Sequence, residues 1–556
     1  MASLSSFFCV LIVTLMAPTQ STNNLEYGFP DTWDGDKERE MLCPSRNIPK
    51  FLDGYFLCQL SASYGNSSAP PGQRLNHMFD AIGAVGAFHI SNKQVSFMAR
   101  YYPALPYKIW EFYDRNMSQA SVPWQAWSDY NRTAMAKWAQ IPPNDHAPRF
   151  HPNLDFWKVG KRVIAGTEAP SWVGYGFDGI FTVDSSGVRR VVGMYDYGEW
   201  NSSACSSDDE FIGDKKSLPG YTHSITSTKK YVVIPISSLL INPCKFKEPP
   251  LSSAHSDIQH GALWGMDFYD TVPVRFLLFN KKTYKWSTKK PLEVFPSMFI
   301  THQLNAFDSV EDTALADMIA YDSPELYTKY FYRDFLVSQA YPSTARILRF
   351  TLDISSQRVM YNYLIPHETV ATDFVQVNHA YDGLAYQWAY AVEHPFSAGN
   401  SIAKINVGEP SGNRNLKFRS DPQLVLHEPW FVSRPDGRKE DDGVLLIRAL
   451  DVEENKGALL VVDAVSMTEI GRACVPISVP FGFHNRFFTK DDLGLSTKPQ
   501  FISRPHTLQT NLPNVRPIKA TAATPDNPTQ TMFDKTQSTT VTSAQITTHT
   551  SACRYI

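Results

Sequence analysis

Positive and negative charge nearly cancel in this chain. Lys and Arg total 52, Asp and Glu total 55, and the net charge is −3. No basic excess marks a nucleic-acid binder. Cysteine is scarce, at seven in 556 residues. None falls in a CxxC or a Cys/His cluster with zinc spacing, so a structural zinc module is excluded. No crisp internal repeat is visible, and periodicity alone does not define an architecture. The apolar run at residues 7–17 is too short to span a bilayer. It also has no Lys or Arg before it.

That run is nonetheless of signal-peptide length, and a polar, small-residue stretch follows at 18–23. Residues 1–22 read as a secretory signal, which predicts a secreted or ER-lumenal protein. Four glycosylation sequons agree: Asn66, Asn116, Asn131 and Asn201. Six cysteines remain beyond the signal (Cys43, Cys58, Cys205, Cys244, Cys474 and Cys553), too sparse for a disulfide scaffold, though some could pair in an oxidising compartment.

From about residue 45 to 488 short apolar runs alternate with turn residues. Examples are Ile180-Phe181-Thr182-Val183 before Asp184-Ser185-Ser186-Gly187, Tyr231-Val232-Val233-Ile234, and Val444-Leu445-Leu446-Ile447. β-Branched and aromatic runs so punctuated predict an all-β domain of many short strands. Sandwich, barrel and propeller fit the count, and length favours a propeller. Residues 104–150, with Trp110, Trp124, Trp127 and Trp138, and the acidic, helix-compatible stretch within 308–345 read as insertions above that scaffold. The tryptophans at 110, 124 and 127 suit a peripheral membrane contact. Residues 489–556 are rich in Thr, Ser, Pro and Gln and read as a disordered tail.

Of fifteen histidines, three interrupt apolar stretches, where a buried imidazole needs a partner. His223 follows Pro219-Gly220-Tyr221-Thr222. His302 lies in Phe299-Ile300-Thr301-His302-Gln303-Leu304. His484 ends Val479-Pro480-Phe481-Gly482-Phe483-His484. A shared metal would serve all three, and imidazole suits iron, zinc and copper alike.

These contexts resemble the iron-ligand segments of the carotenoid cleavage oxygenases, the family of the animal β-carotene oxygenases and the visual-cycle retinoid isomerase. Ile48-Pro49 through Gly54 resembles the family's opening segment, and His77-Met78-Phe79-Asp80 its His-x-Phe-Asp box. Glu428-Pro429-Trp430-Phe431-Val432, then Pro435 and Glu440-Asp441-Asp442-Gly443, resembles its most specific motif. The resemblance implies a seven-bladed β-propeller over residues 45–488, with a helical and loop cap over an axial iron site. It implies Fe2+ on His223, His302 and His484. Acids behind the ligands would be Glu168, Asp373 and Glu440, with Thr167, Phe483 and Tyr327 lining the substrate site. Asp373 stands where the family has Glu; one methylene shorter, it implies a strained or water-bridged contact.

The family uses four histidines, yet residues 169–222 contain none and look short by about one blade's worth of chain. A gene-model omission, a true loss, or replacement by a distant histidine such as His151 would each produce this. The implied activity is iron(II)-dependent addition of O2 across a carotenoid or apocarotenoid double bond, giving two carbonyl products. Two alternatives stand beside it: a catalytically impaired, secreted carotenoid- or retinoid-binding propeller, and a retinyl-ester isomerohydrolase.

Overall fold

The computed structural model describes most of residues 24–495, with breaks of which the longest are 116–154, 167–176 and 247–265. Residues 1–23, which include the stretch read as a signal, the four sequon asparagines and residues 496–556 lie outside the described residues.

Antiparallel sheets built from consecutive strands dominate. Among the described residues, five sheets have four or five strands and three are two-stranded ribbons. Inner strands are buried on both faces because each sheet packs between neighbours, so they read as continuous apolar runs rather than alternations. Strand Gly443–Asp451, flanked by Leu424–Ser433 and Lys456–Asp463, shows this: Val444, Leu445, Leu446 and Ile447 are all fully buried. Each such side chain contributes roughly 2 kcal/mol on transfer from water.

The ring closes by pairing the two ends of the chain. Strand Asn485–Thr489 joins Gly54–Ser63, and Ser45–Arg46 joins Thr468–Val475. Each of these sheets thus takes strands from both the N- and the C-terminal part of the domain. Gly482 permits the last approach: a Cβ there would lie 1.9 Å from the carbonyl oxygen of Gln59. The backbone bonds Ser61 N–H to Phe481 O (2.8 Å) and Gln59 N–H to His484 O (3.0 Å) then fix this segment.

Three sequence expectations are corrected. The stretch 308–345 is not wholly insertion, because Thr313–Tyr321 is an inner strand between Phe299–Asp308 and Arg346–Asp353. Its small and aliphatic residues suit a doubly covered strand, and only the π-helical turn Leu326–Tyr330 and helix Arg333–Val337 form a cap. Trp110, on helix Leu105–Phe112, is fully buried against Tyr101 and Tyr107, so it presents nothing to a membrane. Trp124 and Trp127 lie outside the described residues. The folded domain also runs past 488, since a capped helical turn, Lys490–Leu493, follows the closing strand. Among the described residues no helix is long and apolar enough to cross a membrane.

Candidate metal centre

His223, His302 and His484 converge although they are far apart in sequence. One ring nitrogen from each lies within 4.8 Å of the others. Ring centroids of His223 and His302 are 4.7 Å apart, those of His302 and His484 5.0 Å, and those of His223 and His484 6.5 Å. Among the described residues no fourth His, Cys, Asp or Glu joins the cluster.

Irregular strand geometry aims the groups inward. Strand Phe299–Asp308 shifts register twice between Ile300 and Asn305, around His302. Strand Thr372–Val377 shifts between Asp373 and Gln376, with Phe374 at φ +52°. Strand Leu424–Ser433 shifts between Leu426 and Pro429, beside Glu428. Such bulges re-aim side chains, and Pro429 cannot donate to a ladder, which helps place the third.

Two buried acids hold two of the rings. Asp373 Oδ1 lies 2.5 Å from His302 Nδ1, and Glu428 Oε1 lies 2.8 Å from His484 Nδ1. An ionised carboxylate only accepts, so each Nδ1 carries the proton and each Nε2 keeps its lone pair. Burial holds the His302 ring below the ordinary imidazole range. Burial alone would raise Asp373, but the His302 ring, the Tyr321 hydroxyl and the Phe374 N–H outweigh it, and the carboxyl stays below its usual range. The Asp373 contact is direct, neither stretched nor bridged by water. The bulge and the left-handed Phe374 bring the backbone close enough for the shorter side chain. Glu428 Oε2 also accepts from Asn485 N–H at 2.8 Å.

His223 is held differently. Its Nδ1 lies 3.1 Å from the hydroxyls of both Tyr221 and Tyr327. Tyr327 is fixed in turn by His77, whose Nδ1 accepts from Phe79 N–H (3.2 Å) and whose Nε2 donates to Tyr327 O (2.8 Å). Burial pushes the His77 ring down to about 3, so it is a neutral structural histidine.

Of the remaining predicted residues, Phe483 is buried and stacks on Phe79 at 4.8 Å. Thr167 and Glu168 lie outside the described residues. Glu440 does not stand behind a histidine: its carboxylate accepts from Gln387 N–H and Trp388 N–H and ends the neighbouring sheet's loop. The acid at His484 is Glu428, twelve residues earlier in the same motif. The proline after it was the available signal. Tyr221, Tyr321 and Gln376 carried no signal at the level of sequence.

The donor set fits a first-row divalent ion. Three imidazoles converge, and behind them the fully buried Asp373 supplies negative charge that a cation would balance, while Glu428 also faces the buried Arg448. Asp373 takes its hydrogen bonds from His302, Tyr321 and Phe374, none of them Lys or Arg. Beside the site lies an aromatic wall: Phe374 is 5.5 Å from the His302 ring, and Phe396 contacts both Phe374 and Phe331.

Comparison with known proteins adds to this geometry. Residues 191–489 match the family described as retinal pigment epithelial membrane protein. The chain is 27% identical over 311 residues to the β,β-carotene 15,15'-dioxygenase of Gallus gallus, covering 50% of this chain and 56% of that one. It is 31% identical over 283 residues to the chloroplastic carotenoid cleavage dioxygenase 8 homolog A of Oryza sativa subsp. japonica, covering 48% and 47%. The chain thus spans about half the length of the curated relatives it matches. Cobalt-substituted Synechocystis ACO superposes with TM-score 0.62 at 17% identity, over 84% of this chain and 99% of that one. An ACO/RPE65 chimera does so with TM-score 0.61. These superpositions show the fold, a seven-bladed β-propeller.

Proposed function

The chain belongs to the carotenoid cleavage oxygenase family, and from that premise we propose that it is an iron(II)-dependent dioxygenase that cleaves one double bond of a carotenoid or apocarotenoid. The observation that carries this is the convergence of three imidazoles backed by two buried carboxylates. His223, His302 and His484 would hold the metal. Ferrous iron, when bound, supplies O2 activation.

The rest falls to the chain's own side chains. The net reaction adds both atoms of O2 across one C=C bond, yields two carbonyls and moves no proton. No general acid or base is therefore required. Asp373 and Glu428 orient His302 and His484 and hold their Nδ1 protons. Tyr221 and Tyr327 orient His223. The aromatic wall of Phe374, Phe396, Phe331, Phe483 and Phe79 offers a polyene an apolar bed and excludes water. Phe483 and Tyr327 are the substrate-facing residues of this reading.

A second reading rests on the ligand count. With three histidines among the described residues where the family has four, iron would bind more weakly, and the chain would serve as a carotenoid- or retinoid-binding propeller with little turnover. The disulfide Cys205–Cys244 supports maturation in an oxidising compartment, in keeping with secretion or an ER lumen.

Chromatography of products decides between the readings. Purified protein, reconstituted anaerobically with excess Fe2+, is given β-carotene and O2, and in parallel retinyl ester. Carbonyl products that vanish in His302→Ala support the dioxygenase. Carotenoid that co-elutes uncleaved supports the binding protein, and retinol from the ester supports the isomerohydrolase.

A further inference from the structure

Strand Thr372–Val377 serves two of the three histidines at once. Asp373, on one side of its bulge, accepts from His302 directly. Gln376, on the other side, donates its amide N–H to Glu428 Oε1 at 2.6 Å, and the same oxygen accepts from His484. Both ends of the strand's bulge are therefore tied to the metal centre, one at first hand and one through a glutamate.

The orientation of Gln376 is fixed by chemistry. A carboxylate only accepts, so the NH2 end must face Glu428 and the carbonyl end must face the other way. There Gln376 Oε1 lies 3.1 Å from His379 Nε2. His379 is itself held by Asp382 at 3.1 Å from Nδ1 and stacks on Trp430 at 4.4 Å. Gln376 and Glu428 are both buried. A polar line thus runs Asp382, His379, Gln376, Glu428, His484, and its buried middle has no room to re-form elsewhere.

We propose that Gln376 is a positioning residue for His484, acting through Glu428, and that strand Thr372–Val377 acts as a yoke setting His302 and His484 together. This rests on the metal-centre reading above. Without Gln376, Glu428 keeps Asn485 N–H and the His484 ring but loses one of the two donors to Oε1. The ring then gains freedom, and its lone pair points at the centre for less of the time. Loss of such outer contacts typically weakens metal affinity roughly 10–100-fold.

The test uses the full chain carrying Gln376→Leu, which is close in volume and cannot donate, and Gln376→Glu, which sets one carboxylate against another. Cobalt affinity is measured by titrating the visible ligand-field absorption. The imidazole Nδ1–H signals of His484 and His302 are followed by NMR in the metal-free protein. The expected result is about 10-fold weaker cobalt binding for Gln376→Leu, with faster solvent exchange at His484 and little change at His302. For Gln376→Glu, affinity should fall more as pH rises, because both carboxylates then ionise; this variant stands in should Gln376→Leu not fold. Cobalt affinity within twofold of wild type, with an unchanged His484 signal, overturns the proposal. Wild-type protein that binds no cobalt overturns the metal reading instead, and the metal-free NMR comparison still decides the role of Gln376.

Discussion

The two flanks of the metal centre are built to different standards. His302 lies within a strand of a four-stranded sheet, His484 directly precedes the closing strand Asn485–Thr489, and each leans on a buried carboxylate. His223 lies on a strap outside any strand and leans on two tyrosine hydroxyls. Among the described residues from 155 to 196, the preceding chain forms the two-stranded ribbons Asp155–Val159 with Arg162–Gly166 and Phe177–Val183 with Arg189–Asp196. Phe211, Leu218, Leu240, Cys244 and Val272 make a small satellite core, stapled by Cys205–Cys244. One flank leans on charged acceptors, the other on neutral hydroxyls beside a covalent tie.

Breaking the carboxylate-backed flank should have the largest effect. Glu428→Ala leaves His484 Nδ1–H, Asn485 N–H and the Gln376 amide without their acceptor in a buried site. The expected loss is about 3–5 kcal/mol, measured by denaturant unfolding. A loss below about 1 kcal/mol would mean the two flanks do not differ in this way.

The stapled flank comes next. Cys205–Cys244 closes a loop of 39 residues that contains His223. Replacing both cysteines with Ser should cost about 2–4 kcal/mol. Hydrogen exchange should rise first over residues 211–246 and leave strand Phe299–Asp308 protected. Equal deprotection of both segments would contradict the division.

Acid acts through the cap between the flanks. Burial depresses the folded pKa of His77 to about 3, below the unfolded value, so the unfolded state binds the extra proton. Its stabilising contribution is complete above about pH 6.5 and is lost as pH falls towards 3, at up to about 1.4 kcal/mol per pH unit. The slope of stability against pH between 4 and 6 should flatten in His77→Gln. The smallest effect is expected from Tyr327→Phe, which removes one of the two hydroxyls at His223. It should weaken cobalt binding about fivefold, in line with about 1 kcal/mol for a neutral hydrogen bond.

The same division explains what could be read from the chain beforehand. The strands of the packed sheets announced themselves as apolar runs, and the three histidines stood out because each interrupted one. Asp373 was visible through its motif. Choosing between Glu428 and Glu440 was not possible from spacing, since a bulge at Leu426–Pro429 decides which acid turns inward. Strand Thr313–Tyr321 was obscured by its three alanines and the acid Asp317, because a doubly covered strand is defined by neighbours far away in sequence. Gln376 and Tyr321 act only through other side chains, and no local pattern marks such residues.

The central claim is that these three histidines form one metal site. Its most direct test is a titration of the metal-free protein with Co2+, followed by visible absorption, beside His223→Ala, His302→Ala and His484→Ala. The expected result is a single saturable equivalent whose ligand-field bands are lost in each variant. Undiminished one-to-one binding in two of the three variants would contradict it.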